Sequence, residues 1–394
     1  MFNNLTADAP DRVMITMQQF REDPRTDKLD LGVGVYKDAD GRTPIMRAIK
    51  SAEKVLWEME DTKTYVGLTG DIAFNTSMRD LVLGDISVPE GRVASAATPG
   101  GTGAVRAAFE LIKMANPEAT VWISNPSWSN HPNMLNYLGI QNRTYRYFNA
   151  TTGTLDFEGM MADLGTANSG DIVLLHGCCH NPTGLNLSED QWHLVAALMQ
   201  KQGLIPMIDI AYQGFGDGLE EDAFGTRLVA TALPQVLIAA SCSKNFGIYR
   251  ERTGCFIALG QAPEIMSGVQ GKLALINRLN YSFPPDHGAR LVTMVLNDPS
   301  LRAEWENELD DIRKSMLSLR KELATELQRQ TNSDRFNFVA EHRGMFSMLG
   351  LTQDQVSQMR VEHGVYAISD SRINIAGLNE TAIPVLARAV ASVI

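Results

Sequence analysis

The 394-residue chain reads as an α/β protein: a mostly parallel sheet flanked by helices, plus a smaller α+β domain built from the N-terminal segment and the C-terminal third. Three observations predict this. Between residues 46 and 297, short apolar runs alternate with helical stretches, and each run ends in a turn bearing Gly, Pro or Asn. Strands buried on both faces of a parallel sheet read this way. From Asp298-Pro299 onward, apolar residues instead recur every three or four positions, the mark of a long amphipathic helix. The composition, 44% apolar and 21% charged, is that of an ordinary globular protein, with ample material for a large core.

In chain order, residues 1–45 are irregular and polar, apart from the strand-like Leu29–Val35, and contribute an arm and part of the small domain. Residues 46–297 form the large domain. Its strands are predicted at Thr120–Ile123, Asp171–Leu175, Leu204–Asp209, Gln235–Ala240 and Gly254–Ala258, with a helix over Glu189–Gln202. Residues 298–394 supply the connecting helix and the rest of the small domain. Asp298 can cap that helix and Pro299 can occupy its first turn. Leu301, Trp305, Leu309, Ile312, Met316, Leu319, Leu323 and Leu327 then carry it to about Thr331–Asp334. Strand-like segments follow around Phe336–Val339, Met345–Leu349, Tyr366–Ile368 and Arg372–Ile375, and a helix ends the chain.

Charge and cysteine usage exclude several classes. The chain has 35 Lys+Arg against 46 Asp+Glu, a formal net charge of −11, and no basic cluster to meet a nucleic acid. No apolar run approaches the roughly 18–20 residues that span a bilayer. The stretch Met1–Arg12 lacks the basic-then-apolar pattern of a secretory signal, which implies a cytoplasmic protein. The four cysteines, Cys178, Cys179, Cys242 and Cys255, include no C-x-x-C pair. The cluster His176-Gly-Cys178-Cys179-His180 resembles a metal site. Neighbouring residues on a strand point to opposite faces, however, and no second ligand pair stands at zinc-like spacing, so no metal is expected.

In α/β sheets, ligands bind beyond the C-terminal ends of the strands, and the residues there are polar. Thr98-Pro-Gly-Gly-Thr-Gly-Ala104 precedes a helix, as a phosphate cradle does. It is neither a dinucleotide fingerprint, because Arg106 occupies the third glycine position, nor a P-loop, because no Gly-Lys-Ser/Thr follows. In Ser124-Asn-Pro-Ser-Trp-Ser-Asn-His131, Trp128 can stack on a flat ring or simply fill the core. Asn181, in His180-Asn-Pro-Thr-Gly184, can donate to a ligand oxygen. Asp209 interrupts an apolar run, where a carboxylate needs a cation or hydrogen bonds. Lys244 follows Val236–Ala240, a placement that desolvates the amine, lowers its pKa and frees it as a nucleophile towards carbonyls. A phosphate cradle, a ring-stacking Trp, a buried Asp, a Tyr, an Asn and a desolvated Lys with Ser and Arg nearby together match the needs of pyridoxal phosphate.

The sequence also resembles the class I, fold-type-I aminotransferases, in the subgroup holding the aspartate and aromatic-amino-acid enzymes, over essentially its whole length. The resemblance rests on Leu31-Gly-Val-Gly-Val-Tyr-Lys37, Thr64-Tyr-Val-Gly-Leu68, His180-Asn-Pro-Thr-Gly184, Asp209-Ile-Ala-Tyr-Gln-Gly-Phe215, Ser243-Lys-Asn-Phe-Gly247, Glu251-Arg252 and Arg372-Ile-Asn-Ile-Ala-Gly-Leu378. It implies pyridoxal phosphate as cofactor, with Lys244 as the Schiff-base lysine and proton carrier. Asp209 would pair with the ring nitrogen, supported by His131. Asn181 and Tyr212 would bind the ring oxygen, and Trp128 would stack on the ring. Gly101, Thr102, Ser241, Ser243 and Arg252 would hold the phosphate. Arg372 would clamp the substrate α-carboxylate bidentately, near Gly34. A homodimer is implied as well, in which Tyr65 reaches the partner's phosphate and Arg278 receives a distal carboxylate.

The implied reaction is transamination between an amino acid and 2-oxoglutarate; a β-lyase or decarboxylase with the same cofactor is the alternative, told apart by release of ammonia or carbon dioxide in place of stoichiometric 2-oxo acid. Arg278 matches the dicarboxylate-binding position, so acidic substrates are expected. Phe283 stands where aspartate specialists commonly carry Asn, and Cys242 where many carry Tyr. Together with His176-Gly-Cys-Cys-His180 and Tyr281-Ser-Phe-Pro-Pro285, they make the chain most similar to bacterial aromatic-amino-acid aminotransferases. Dual specificity for aromatic and acidic amino acids is the expectation, and an aspartate-specific enzyme the alternative.

Overall fold

The computed structural model describes residues 2–5, 12–89 and 91–394. Most of Met1–Arg12, read for a targeting signal, therefore lies outside the described residues. A seven-stranded sheet runs through the molecule: β1 (Val93–Pro99), β2 (Val121–Asn125), β3 (Asn142–Arg146), β4 (Ile172–His176), β5 (Ile205–Ile210), β6 (Val236–Ser241) and β7 (Thr253–Leu259). Its spatial order is β1-β7-β6-β5-β4-β2-β3. The β3–β2, β2–β4, β4–β5 and β5–β6 pairs are parallel. The predicted run at Gly254–Ala258 is an exception to the parallel reading, since β7 lies antiparallel to both β1 and β6. The short loop after β6 forces this reversal, because a parallel return needs a crossover of a dozen or more residues. Two strands of this sheet lie outside the predicted runs. β1 is built of small residues, and edge strand β3 (Asn-Arg-Thr-Tyr-Arg) buries only Tyr145 among five positions.

Both faces of the sheet are covered, and the alternation along its strands shows it. Val173, Leu175, Ile208, Ile210, Ile238 and Ile257 enter one apolar cluster. Ile172, Leu174, Met207, Ala239, Phe256 and Ala258 enter the other, beneath the helix Gly100–Ala115. A third cluster joins Leu31 to Leu319, Leu323 and Leu327 of the helix Pro299–Thr331 and to residues of the C-terminal helix Ala382–Val393. Asp298 caps the long helix, accepting from the N–H groups of Ser300 and Leu301 at 2.8 and 2.9 Å. The predicted helix Glu189–Gln202 forms over those residues, with Ser188 and Gln191 closing a capping box.

Elsewhere the structure corrects the sequence reading. The segment 1–45 contains a helix, Arg12–Glu22, with Thr16 its one buried residue; so lightly packed a helix needs no apolar stripe. Within Leu29–Val35 only Leu29–Asp30 forms a strand, paired in parallel with Val365–Tyr366. Phe336–Val339 is a 3-10 turn leading into a short helix (Phe338–Glu341) and not a strand. Phe346–Met348 and Arg372–Asn374 do pair, antiparallel.

Arg320, fully buried, ties this region together. Its guanidinium donates to the carbonyls of Val339, Arg343, Gly344 and Phe346 and to the Ser347 hydroxyl, at 2.7–3.2 Å. Arg320→Met keeps the apolar stem but strands four buried carbonyls. It is expected to cost about 3 kcal/mol or more, seen as a lower urea midpoint with an unchanged slope. A loss below about 1 kcal/mol would show that other donors take over.

Candidate functional site

The C-terminal ends of the parallel strands and the N-terminal end of antiparallel β7 meet at one edge of the sheet. There they line a cavity of about 270 Å³. β1 runs directly into the helix Gly100–Ala115, whose first turn brings Gly101 and Thr102 to the wall. The loop after β2 adds Trp128, that after β4 adds Asn181, and β5 adds Asp209 and, just beyond, Tyr212. β6 ends in Ser241, and the tight return to β7 contributes Ser243, Lys244 and Arg252. Gly34 and Arg372 close the cavity from the other side.

At one end the arrangement suits an anion. No side chain caps the helix Gly100–Ala115, so its first N–H groups face the cavity end with their partial positive charge. Arg252, held in left-handed backbone at φ 53°, donates to the Ser243 hydroxyl at 3.3 Å and the Tyr249 carbonyl at 3.1 Å. The glycines are required: a Cβ on Gly100 would lie 2.6 Å from Arg252 Nη2, and one on Gly101 2.8 Å from Ser241 Cβ.

At the opposite end, Asp209 Oδ2 accepts from His131 Nε2 at 3.0 Å, and His131 Nδ1 meets the Ser127 hydroxyl at 2.9 Å. Burial alone would raise the Asp209 carboxyl. The hydrogen bond from His131 and the charge on Lys244 outweigh it and hold the group below the usual carboxylate range. His131 does not line the cavity; it braces Asp209 from behind and meets Trp128 edge-on, ring centroids 5.1 Å apart. Between the two ends stands Lys244, its Nζ 4.9 Å from the centre of the Tyr212 ring. Burial pulls its amine down to about 8, against the opposing pull of Asp209. At neutral pH about a tenth of it is then the free base, roughly 300-fold more than for an ordinary lysine.

Arg372 is positioned for a carboxylate. Its Nη2 donates to the Gly32 carbonyl at 3.0 Å, its Nη1 reaches Asn181 Oδ1 at 3.4 Å, and its guanidinium lies 4.4 Å from the centre of the Phe346 ring. A Cβ on Gly34 would come within 2.7 Å of Phe346 Cζ, so only glycine fits there.

Two predicted residues stand apart. Tyr65 and Arg278 are absent from the cavity wall. Tyr65 is 79% exposed and stacks on Phe283 at 4.6 Å. Arg278 lies 5.9 Å from the same ring and reaches the Ser282 hydroxyl at 3.4 Å. Sequence reasoning also missed wall residues, including Tyr249, Phe346 and His176. Tyr249 accepts from the Tyr36 N–H at 3.1 Å, a contact with no local signal. His176 was visible only as part of a suspected metal motif. Burial pushes its imidazole down to about 3, so it stays neutral.

Cys178 and Cys179 lie beyond the end of β4, and Cys179 adopts φ 49°, so strand alternation does not separate them. Their thiols and the Asp222 carboxylate fall within 4.8 Å of one another, as do donor atoms of His131, His176 and Asp209.

A family model described as aminotransferase class I and II matches residues 26–390. The chain is 57% identical over 393 residues to an aromatic-amino-acid aminotransferase of Paracoccus denitrificans, covering 100% of both. It is 41% identical over 396 residues to an aspartate aminotransferase of Salmonella typhi, again covering 100% of both. The structure superposes with a TM-score of 0.96 on an aromatic-amino-acid aminotransferase from Burkholderia pseudomallei, covalently bound to pyridoxal phosphate. The two are 39% identical, with 100% of this chain and 99% of that one covered.

Proposed function

Since the chain belongs to the class I and II aminotransferases, we propose that the cavity around Lys244 is its active site and that each residue there keeps the role its geometry allows. The protein is a pyridoxal-phosphate-dependent aminotransferase acting on aromatic and also acidic amino acids, with 2-oxo acids as amino acceptors. The observation that carries the assignment is the alignment in one cavity of an anion cradle, a reactive lysine, an ionised buried carboxylate and a carboxylate-binding arginine. The donor set fits the cofactor, and the glycine cradle beside Arg252 and Ser241 leaves room only while no Cβ is present.

When bound, pyridoxal phosphate supplies an aldehyde carbon for an amine and a ring that accepts electrons from the substrate. The protein's residues do the rest. The amides of Gly101 and Thr102, the hydroxyls of Thr102, Ser241 and Ser243, and Arg252 bind the phosphate. Asp209, steadied by His131, keeps the ring nitrogen protonated. Tyr212 and Asn181 donate to the ring oxygen, and Trp128 covers one ring face. Lys244 Nζ would hold the cofactor, and its lowered pKa suits it to carry the proton of the substrate α-carbon. Arg372 binds the α-carboxylate beside Gly34.

Tyr65 and Arg278 complete the site from a second subunit. Exposed Tyr65 and Arg278 both lie against the ring of Phe283, an arrangement that supports a homodimer with shared active sites. All four cysteines are buried, unpaired thiols, which supports a reducing cytoplasmic setting. No helix among the described residues is long and apolar enough to cross a membrane.

Arg278 decides the substrate reading. In single-turnover half-reactions, Arg278→Ala should slow aspartate about 100-fold, the worth of a charge-assisted pair, and change phenylalanine by a few-fold at most. Equal losses for both would overturn the assignment of Arg278 to the distal carboxylate.

A further inference from the structure

Behind the active-site wall lies a second cluster that amino transfer does not use. The chain leaves β4 at His176, turns through Gly177, Cys178, Cys179 and His180, and returns to the cavity at Asn181. The Cys179 N–H donates to Asn186 Oδ1 at 2.6 Å, fixing the turn. With Cys179 at φ 49°, both thiols end up near the Asp222 carboxylate, every donor atom within 4.8 Å of the others and all three residues buried.

We propose that Cys178, Cys179 and Asp222 form a binding site for a thiophilic divalent cation of the zinc type. Thiolate and carboxylate ligands at about 2.3 and 2.1 Å around a tetrahedral ion lie roughly 3.6–3.8 Å apart. Donors already within 4.8 Å need only small rotations to reach this. Asp222 is ready for the role. Its Oδ2 accepts from the Gly214 and Gly216 N–H groups at 2.9 and 2.8 Å, and its Oδ1 from that of Asp217 at 3.0 Å. A carboxylate has about four acceptor positions, so one on Oδ1 is left to face the thiols.

Two glycines keep the space open. A Cβ on Gly216 would meet Asp222 Oδ1 at 2.3 Å and Cys179 Sγ at 3.1 Å, and one on Gly344 would meet Cys179 Sγ at 2.8 Å. Cys178 and Asp222 also line a cavity of about 300 Å³ whose rim carries the exposed carboxylates of Glu189, Asp217 and Glu221. It gives a cation a route in and room for water as the fourth ligand. With Asp217 paired to Arg343 at 2.6 Å, Glu189 and Glu221 supply the negative charge at the rim, and the thiolates and Asp222 offset the buried Arg320 beside Cys179.

The test is to titrate chelator-treated holoenzyme with Cd²⁺, following the ultraviolet thiolate-to-cadmium band and proton release. The wild type should take up one equivalent, develop the band and release two protons. Cys178→Ser and Cys179→Ser should each weaken binding at least about tenfold and reduce the band, while Cys242→Ser, at a thiol packed against Met78, should change neither. The bound cofactor's visible spectrum reports whether each variant has folded. Absence of a band in the wild type overturns the proposal without recourse to the variants, and so does a band unchanged in both Cys178→Ser and Cys179→Ser.

Discussion

Lys244→Ala should lose amino transfer by at least about 10⁴-fold, the upper range for one positioned proton carrier, while remaining folded. In the proposed mechanism Lys244 both holds the cofactor and moves the substrate proton, and no other lysine among the described residues lines the cavity. Its side chain is not a structural strut: apart from the approach to the Tyr212 ring, its environment is the cavity itself. Thermal unfolding should therefore shift little once cofactor occupancy is matched. The two roles separate on addition of a small primary amine. An external amine can carry a proton but is not tethered, so it should restore part of the rate in proportion to its concentration. Undiminished turnover in the variant without added amine would remove Lys244 from the mechanism.

Asp209→Ala should slow transamination about 10³-fold. A unit charge pair at about 4 Å is worth about 4 kcal/mol at an effective dielectric constant of 20, and that pairing is what keeps the ring nitrogen protonated. The substitution also leaves buried His131 without its acceptor, an additional loss of about 1–3 kcal/mol in stability. Asp209→Glu keeps the charge and distinguishes the effects. It should recover more activity than stability, because the longer side chain disturbs the His131 contact while still ionised. Equal activity in Asp209→Ala and Asp209→Glu would show that charge at this position is not what the reaction uses.

How legible the fold was depended on where each element buries its residues. β4, β5 and β6 present apolar side chains to both faces, so an apolar run announced each one, even where Asp209 breaks into that of β5. The helix Pro299–Thr331 carried both its stripe and its Asp298 cap. β3 had no such signal, because an edge strand with one buried side chain looks like loop. The direction of β7 was equally hidden: its seven residues are all buried, and a run of that kind does not report which way it lies.

The site divides along the same line. Residues presented by strand ends, such as Asp209 and Lys244, could be found because a polar group beside an apolar run is conspicuous. Arg372, Tyr65 and Arg278 took their roles from the resemblance alone, since nothing in their spacing ties them to the strand ends that carry the other site residues. Phe346 and Tyr249 were missed for a related reason. Their contribution is a ring face under Arg372 and an acceptor for Tyr36, both made only by tertiary packing. For Cys178 and Cys179 the error was to apply strand alternation one turn past the end of the strand.

The central claim is that one cavity transfers amino groups from both aromatic and acidic amino acids. The most direct measurement mixes the yellow holoenzyme with phenylalanine and with aspartate in separate single-turnover runs, following loss of the aldehyde-form absorbance. Conversion to the amine form by both donors, with the matching 2-oxo acid formed mole for mole, is the predicted result. Conversion by aspartate alone, or release of ammonia or carbon dioxide in place of amino transfer, would contradict it.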